Sequence, residues 1–563
     1  MKTKITLLIC SITLFVFAGN YISKIQFISG KKNTGYSEQF PKSDYTKAWK
    51  KVDSLIDKGL SKSALAEVVI IYTKAKTENN APNFVKAIMY KMKLQNDYEE
   101  DSFENSIKDL KSEIKDATFP VKPILHSVLA EMYWRYYSIN RYEWMNRTET
   151  VNFKEDDIKT WDLKKLVKEV IYNYVLSLQD VENLKKTKLG IYDEIIIKDT
   201  ATRKLRPTLY DFLAHRSVDF FMNDETELTK PVYKFEINSE DYFKPFDEFV
   251  KINITTKDSL SLKYYAAKIL QDLIAFHSAD LDPSALIDVD LKRLKFVKTN
   301  AVLDIKDSLY LQSLLSLESR FSKFPASTDI TFEIASEYSR LGALYDPLKS
   351  DENKWMVKKA IDKCNEAVKT FANSFGARNC KKLKTQLEQK SLDLTFEEGN
   401  APDKPFRSLV SYKNVPVVYL KILKISYDEY QKLTKKNYGE ELIKSYVKLP
   451  VIKEFSIMLP DDKDYQKHSA EIEMPQLSLG FYVVLASNNK DFSLKDQIIA
   501  YSDFWVTNIS FVNRNKENGA IDFYTLDRET GIPLKNVSIQ TYTNEYNNTL
   551  REYAQKKWKN FRS

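Results

Sequence analysis

From Tyr45 to about Leu394 apolar residues recur every three or four positions, the period of a helix with one buried face. The fullest stripe is Leu163, Leu166, Val167, Val170, Ile171, Tyr174, Val175 and Leu178, entered through Thr160 and Asp162, which suit a helix start. Leu65, Val68, Val69 and Tyr72 repeat the pattern. Gly59 suits the end of one helix and Pro82 the first turn of the next, so Tyr45 to Leu94 is predicted as stacked helical hairpins. Further helices are predicted over 123–139, 207–222, 258–277, 304–321, 329–345, 353–371 and 377–392. The stretch 223–256 has no firm period and is expected to be irregular.

Near Phe396 to Pro405 the period shifts to alternation, and the run GNAPDKP carries the glycine and prolines of a domain boundary. Strands are predicted over 407–412, 417–425, 455–459, 472–474, 481–486 and 505–512, with a short helix over 427–434. They amount to one sandwich at 403–512. Beyond it Ile521, Phe523 and Thr525 alternate with polar neighbours, and so do Val537 and Ile539. Between them Asp527, Thr530, Gly531 and Pro533 supply the short polar side chains, the positive-φ residue and the fixed φ of a turn. An immunoglobulin-like sandwich needs about 100 residues, roughly twice what 513–563 provides. The fold expected is therefore α then β. An all-α helical-hairpin region at 40–395 precedes an Ig-like β-sandwich, and 513–563 is the start of an incomplete second β-module.

A chain of 563 residues with 43% hydrophobic content has ample core material for several domains. Its 86 Lys and Arg are interspersed with 78 Asp and Glu, a mixed surface without the clustered basic face that nucleic acid requires. Only 12 glycines occur and no Gly-rich phosphate loop is present. Residues 1–18 look like a signal peptide: Lys2 and Lys4, an apolar run from Ile5 to Phe17, then Val16-Phe17-Ala18 as a cleavage site. Export with a mature start near Gly19 is expected, and membrane association only through the leader if it stays uncleaved, since Tyr21 and Ile22 extend the run. Cys10 lies too deep in that run for a lipid-modified cysteine.

Candidate chemistry is sparse, and the chain is not expected to be an enzyme. His126, His215, His277 and His468 lie neither in H-E-x-x-H nor at ligand spacing from another His, and no G-x-S-x-G occurs. Catalytic, cofactor-binding and metal residues are all expected to be none. Asp461, Asp462 and Asp464 form an acidic run that lacks the glycine and terminal Glu of a calcium loop, so a solvated loop is expected. Trp134, Tyr136, Tyr137, Tyr142 and Trp144 have helical spacing and point to packing rather than to a sugar platform. Lys556, Lys557 and Lys559 around Trp558 are an ordinary solvated segment. Cys364 and Cys380 would sit offset by about 6 Å along antiparallel helices, which favours two buried free thiols over a disulfide.

Two resemblances add to this. Leu341, Gly342 and Tyr345, with Ala360, Cys364 and Ala367, resemble the packing positions of a tetratricopeptide hairpin. More broadly, four segments carry a second likeness: FPVKPILHSVLAEMYW (119–134), NRTETVNF (146–153), RPTLYDFLAHR (206–216) and CNEAVKTFANSFGARNCKKLKTQLEQKSL (364–392). Pro475, Leu477, Gly480, Tyr482 and Val484, then AYSDFWVTNISF and the D-x-x-T-G turn at Asp527, continue it. Together they resemble the N-terminal portion of bacterial alpha-2-macroglobulin-like proteins. The resemblance implies macroglobulin domains at 403–512 and from 513 onward, in a protease trap exported to the periplasm or cell envelope of a Gram-negative bacterium. The partners it implies are proteases, met through the full-length form. Such traps often use an internal thioester in C-x-E-Q. Cys364-Asn365-Glu366 is followed by Ala367, and Leu387-Glu388-Gln389 is preceded by Gln386, so neither segment supplies one. No bait segment is assigned, and the chain alone is expected to be inactive. The alternative is an exported helical-repeat scaffold whose β-adaptor modules bind cell-envelope proteins.

Overall fold

The computed structural model describes residues 45–97, 102–145, 154–155, 157–196, 202–223, 234–495, 498–517, 521–547 and 552–562. The leader and the segment 146–153 lie outside these residues. Helices come first and sheets follow. The chain divides into two compact units, 1–330 and 331–563. Among the described residues no helix is long and apolar enough to cross a membrane.

The first unit is helical. It opens with α1 (Thr46–Asp57), α2 (Ser61–Thr77), α3 (Ala81–Asn96), α4 (Ser102–Asp116), α5 (Val121–Ile139) and α6 (Arg141–Met145). Next come α7 (Leu163–Ser177), α8 (Val181–Lys186), α9 (Thr202–Leu205) and α10 (Leu209–Phe221). It closes with α11 (Phe246–Phe249), α12 (Leu262–His277), α13 (Ser284–Asn300) and α14 (Lys306–Phe321). Gly59, at φ 72°, ends α1 with Leu60 N–H reaching back to the Leu55 carbonyl. Asn80 caps α3 by accepting from Asn83 N–H, and Pro82 sits in its first turn. α5 packs along α7, which buries Leu166, Val167, Val170, Ile171 and Tyr174 of the predicted stripe. Tyr133, Tyr137 and Trp144 are buried too, whereas Tyr142 is exposed.

Two long helices of the first unit, α4 and α13, go beyond the predicted set, as do the short α6, α8, α9 and α11. α4 buries only three apolar residues, Ile107, Leu110 and Ile114. α13 is hidden for the opposite reason: Leu286, Ile287, Leu291, Leu294, Phe296 and Val297 are all buried together with Asp290 and Arg293. A helix buried around most of its circumference, with an ion pair inside, shows no single apolar stripe. Within the aperiodic stretch, the described residues form one turn of 3-10 helix at Glu240–Phe243 and the short α11.

In the second unit α15 (Ser327–Gly342), which spans the division, is followed by α16 (Met356–Thr370) and α17 (Phe375–Leu387). α16 and α17 pack as a hairpin, turned by Ser374, whose hydroxyl caps α17 at Ala377 N–H. α17 stops at Leu387, short of the predicted 392, and Leu392 instead enters β1 (Ser391–Thr395). β2 (Gly399–Asn400), β3 (Phe406–Lys413) and β4 (Val417–Ile425) follow. After them come α18 (Tyr427–Lys436), α19 (Gly439–Val447), β5 (Val451–Met458), β6 (His468–Met474), β7 (Gly480–Ser487) and β8 (Ile499–Val506).

These strands form an antiparallel sheet β1-β3-β6 and a five-stranded sheet β2-β8-β7-β4-β5 in which only β2 and β8 run parallel. Period-two alternation explains why β7 is apolar throughout. Tyr482, Val484 and Ala486 join the core with Val418, Leu420, Val410 and Ile472, while Phe481, Val483 and Leu485 join a second core. Leu442 and Tyr446 of α19 cover that second core. β7, at the middle of the five-stranded sheet, is thus buried on both faces.

The predicted strand over 505–512 is in fact two. β8 ends at Val506, Thr507 Oγ1 accepts from Ile509 N–H, and β9 (Ile509–Asn515) leaves to pair with β10 (Ile521–Asp527). Such a hydroxyl turn competes with the strand ladder. The D-x-x-T-G turn forms as expected: Asp527 Oδ1 accepts from Glu529 N–H, Thr530 N–H and Thr530 Oγ1, and Gly531 has φ 72°. Those hydrogen bonds hold the Asp527 carboxyl below its ordinary range. β11 (Ser538–Asn547) then pairs with β12 (Glu552–Arg562). The side chains of Lys556, Lys557, Trp558 and Lys559 lie outside the described set.

Candidate functional site

The most densely tied polar locus of the second unit is the loop 459–467, which carries the chain from β5 in the larger sheet to β6 in the smaller. Asp461 Oδ1 accepts from Lys463 N–H and Asp464 Oδ1 from Gln466 N–H. These two Asx turns support left-handed backbone at Lys463 (φ 57°) and Tyr465 (φ 60°). Tyr412 donates to the Pro460 carbonyl at 2.7 Å. Burial, then the nearby Asp462, Asp461 and Asp464 carboxylates, push the Tyr412 phenol up, which keeps it a donor.

The loop is not a plain solvated run. Asp461 and Asp462 are exposed, but Asp464 is 1% exposed and accepts from His468 Nε2 at 2.8 Å. Gln466 Nε2 reaches two carbonyls of the α15–α16 connection, Gly342 at 3.1 Å and Lys354 at 3.3 Å. Lys354 Nζ pairs with Asp462 at 2.9 Å, and that bond holds the ammonium above its ordinary value. One loop thereby pins the helical pair to the sandwich.

Gly342 is what lets the connection close. A Cβ there would lie 2.6 Å from Val357 Cγ2 and 3.0 Å from Val357 N. Gly342→Ala is expected to destabilise the second unit by about 1–3 kcal/mol, read as a lower urea midpoint at unchanged m-value. An unchanged midpoint would show that α16 shifts freely.

Chemically the loop offers carboxylates at Asp462 and Asp464 and an imidazole at His468, with donor atoms within 4.8 Å of one another. Oxygen and nitrogen donors in that combination suit a divalent cation, but Lys354 already supplies positive charge to Asp462. The acidic run was visible in the sequence, but the pairing of Asp464 with His468 four residues on was not read from it. Gln466 and Lys354 carried no signal, because their partners are backbone carbonyls and a residue over 100 positions away.

The other histidines sit apart, each in its own setting. His126 Nδ1 meets Asn173 Oδ1 at 2.9 Å across α5 and α7. His215 lies beside Lys292 at 3.4 Å. His277, at the end of α12, is held between Asp211 and Asp280, each at 2.7 Å. A cleft of about 280 Å³ opens near Arg293, Phe246, Leu317 and Arg320, and the Ser313 hydroxyl in its wall is committed to the Phe243 carbonyl at 2.7 Å.

Cys364 and Cys380 are free and fully buried, as expected. Both belong to one buried cluster formed by α15, α16 and α17. No protein-family model matches the chain, and no curated protein matches it.

Proposed function

We propose that this chain is the N-terminal part of an exported alpha-2-macroglobulin-like protease inhibitor. The observation that carries the reading is the hand-over at Thr507–Asn508, where a closed sandwich passes the chain straight into a further β-unit bearing the D-x-x-T-G turn. Tandem β-modules strung behind a helical region are the layout that the resemblance implies. In this reading the sandwich β1 to β8 is a macroglobulin domain with an added helical cover, and α15 to α17 are a tetratricopeptide-like docking piece. The cell envelope or periplasm of a Gram-negative bacterium is the proposed location, and proteases are the proposed partners.

The chain contains no C-x-E-Q, so none of its own residues supplies a thioester for covalent capture. The test is a form extended through whatever the DNA encodes after the Ser563 codon, incubated with proteases of broad specificity. Stable capture is expected, with cleavage of large substrates blocked and of small peptides retained. Absence of any complex, with no further β-domain encoded, would sink the trap and favour the envelope scaffold.

A further inference from the structure

Among the described residues, the second unit holds one pair of buried nucleophiles that the proposed function does not use. Cys364 on α16 and Cys380 on α17 are both 0% exposed and belong to one small cluster with Ala335, Ala360, Ala367 and Ala377. Alanines at a helix contact let the backbones approach closely, which is the geometry a disulfide between neighbouring helices demands.

We infer that Cys364 and Cys380 are a disulfide-forming pair, closed by a disulfide-bearing oxidant such as the chain would meet on export, and that the bond staples α17 to α16. The step balances as thiol–disulfide exchange. The Cys364 sulfur attacks one sulfur of R–S–S–R, releasing R–S⁻, which takes the Cys364 proton. Cys380 sulfur then attacks the mixed disulfide, releasing the second R–S⁻ with the Cys380 proton. Two protein thiols are oxidised and one disulfide is reduced to two thiols. Contact with Cys380, and then the nearby Lys384, hold the Cys364 thiol below its ordinary range against the opposing effect of burial, which suits it to attack first.

Both cysteines lie in that one cluster, where α16 packs on α17. The bond would close a loop of about 15 residues. Its staple lies close to the entry to the sandwich, since α17 ends at Leu387 and β1 starts at Ser391. Export belongs to the proposed function, but formation of the bond in vitro does not depend on it.

The purified full chain is denatured, refolded in a glutathione buffer rich in the oxidised form, quenched with N-ethylmaleimide and digested without reductant. Refolding removes any barrier set by burial. The expected product is a peptide pair joining Cys364 to Cys380, two hydrogens lighter than the separate peptides. The melting temperature is expected to exceed that of the reduced chain by roughly 5 °C. Cys364→Ser and Cys380→Ser should each yield only a mixed disulfide with glutathione at the remaining position. Maleimide or glutathione on both cysteines of the unsubstituted chain, or a bond from either to Cys10, would overturn the inference.

Discussion

Asp211→Ala is expected to cost the helical unit about 3–5 kcal/mol, the largest loss foreseen for a single side chain here. Asp211 is fully buried and serves two elements at once. Its Oδ2 accepts from Thr208 N–H and Thr208 Oγ1, each at 2.8 Å, completing a capping box at the start of α10. Its Oδ1 faces His277 Nε2 at 2.7 Å, while His277 Nδ1 faces Asp280 at 2.7 Å. Two carboxylates facing both ring nitrogens call for two N–H donors, and only the imidazolium supplies them. Alanine removes the cap and leaves a buried imidazole without its inner partner.

The pH dependence has a definite sign. Burial alone would lower the His277 pKa, but hydrogen bonds and charge from Asp211 and then Asp280 outweigh it, and the net direction is up. A raised folded pKa means a stabilising contribution that is complete below the unfolded value of about 6.5. It fades as the pH rises through the folded value. Urea unfolding between pH 6 and pH 9 should therefore show a decline that Asp211→Ala flattens. A parallel decline in both proteins would show that His277 is not its source.

Arg293→Met is expected to cost nearly as much, about 3–5 kcal/mol. Arg293 Nε donates to Asp290 at 2.7 Å, and Nη1 donates to the carbonyls of Tyr242 at 2.6 Å and Lys244 at 3.0 Å. Its guanidinium also lies over the Phe249 ring at 4.6 Å. One side chain thus holds the 240–246 segment to α13. Burial pushes the Asp290 carboxyl up and Arg293, with Arg320 behind it, opposes that, so removing Arg293 leaves a buried carboxylate without its direct partner. Two readouts separate this from simple loss of packing. Asp290→Asn in the Arg293→Met background should recover part of the loss. The deficit of Arg293→Met should also shrink as the pH falls, because protonating Asp290 relieves it. A deficit that is flat with pH and not rescued would assign the effect to packing alone.

The helix-then-strand order and most element positions were legible because each element buries one face, as with Leu166, Val170 and Tyr174 in α7. β4 was also legible, since apolar residues fill it and turns bound it. Apart from α4, whose apolar stripe is thin, what stayed hidden has partners supplied from outside the local window. α13 encloses Asp290 and Arg293, so its pattern is blurred by charges that only the fold pairs. α19 was not foreseen because Leu442 and Tyr446 gain meaning only against the outer face of β7. In the loop 459–467 the acidic residues were visible, but their docking was not, since Gln466 binds carbonyls and carbonyls have no sequence identity.

The break between β8 and β9 leaves two residues, Thr507 and Asn508, as the link between the sandwich and the next β-unit. Two residues reach about 7 Å at most, so the link has almost no slack. Tension on β9 would pass directly to β8, which is laced to β7 along its length and to β2 through Trp505 N–H to Glu398 and Thr507 N–H to Asn400. Those bonds lie across the strand direction and would be loaded in shear, many at once. A displacement imposed on the next β-unit would therefore reach the sandwich by two routes, the Thr507–Asn508 link and the Lys404–Glu529 ion pair.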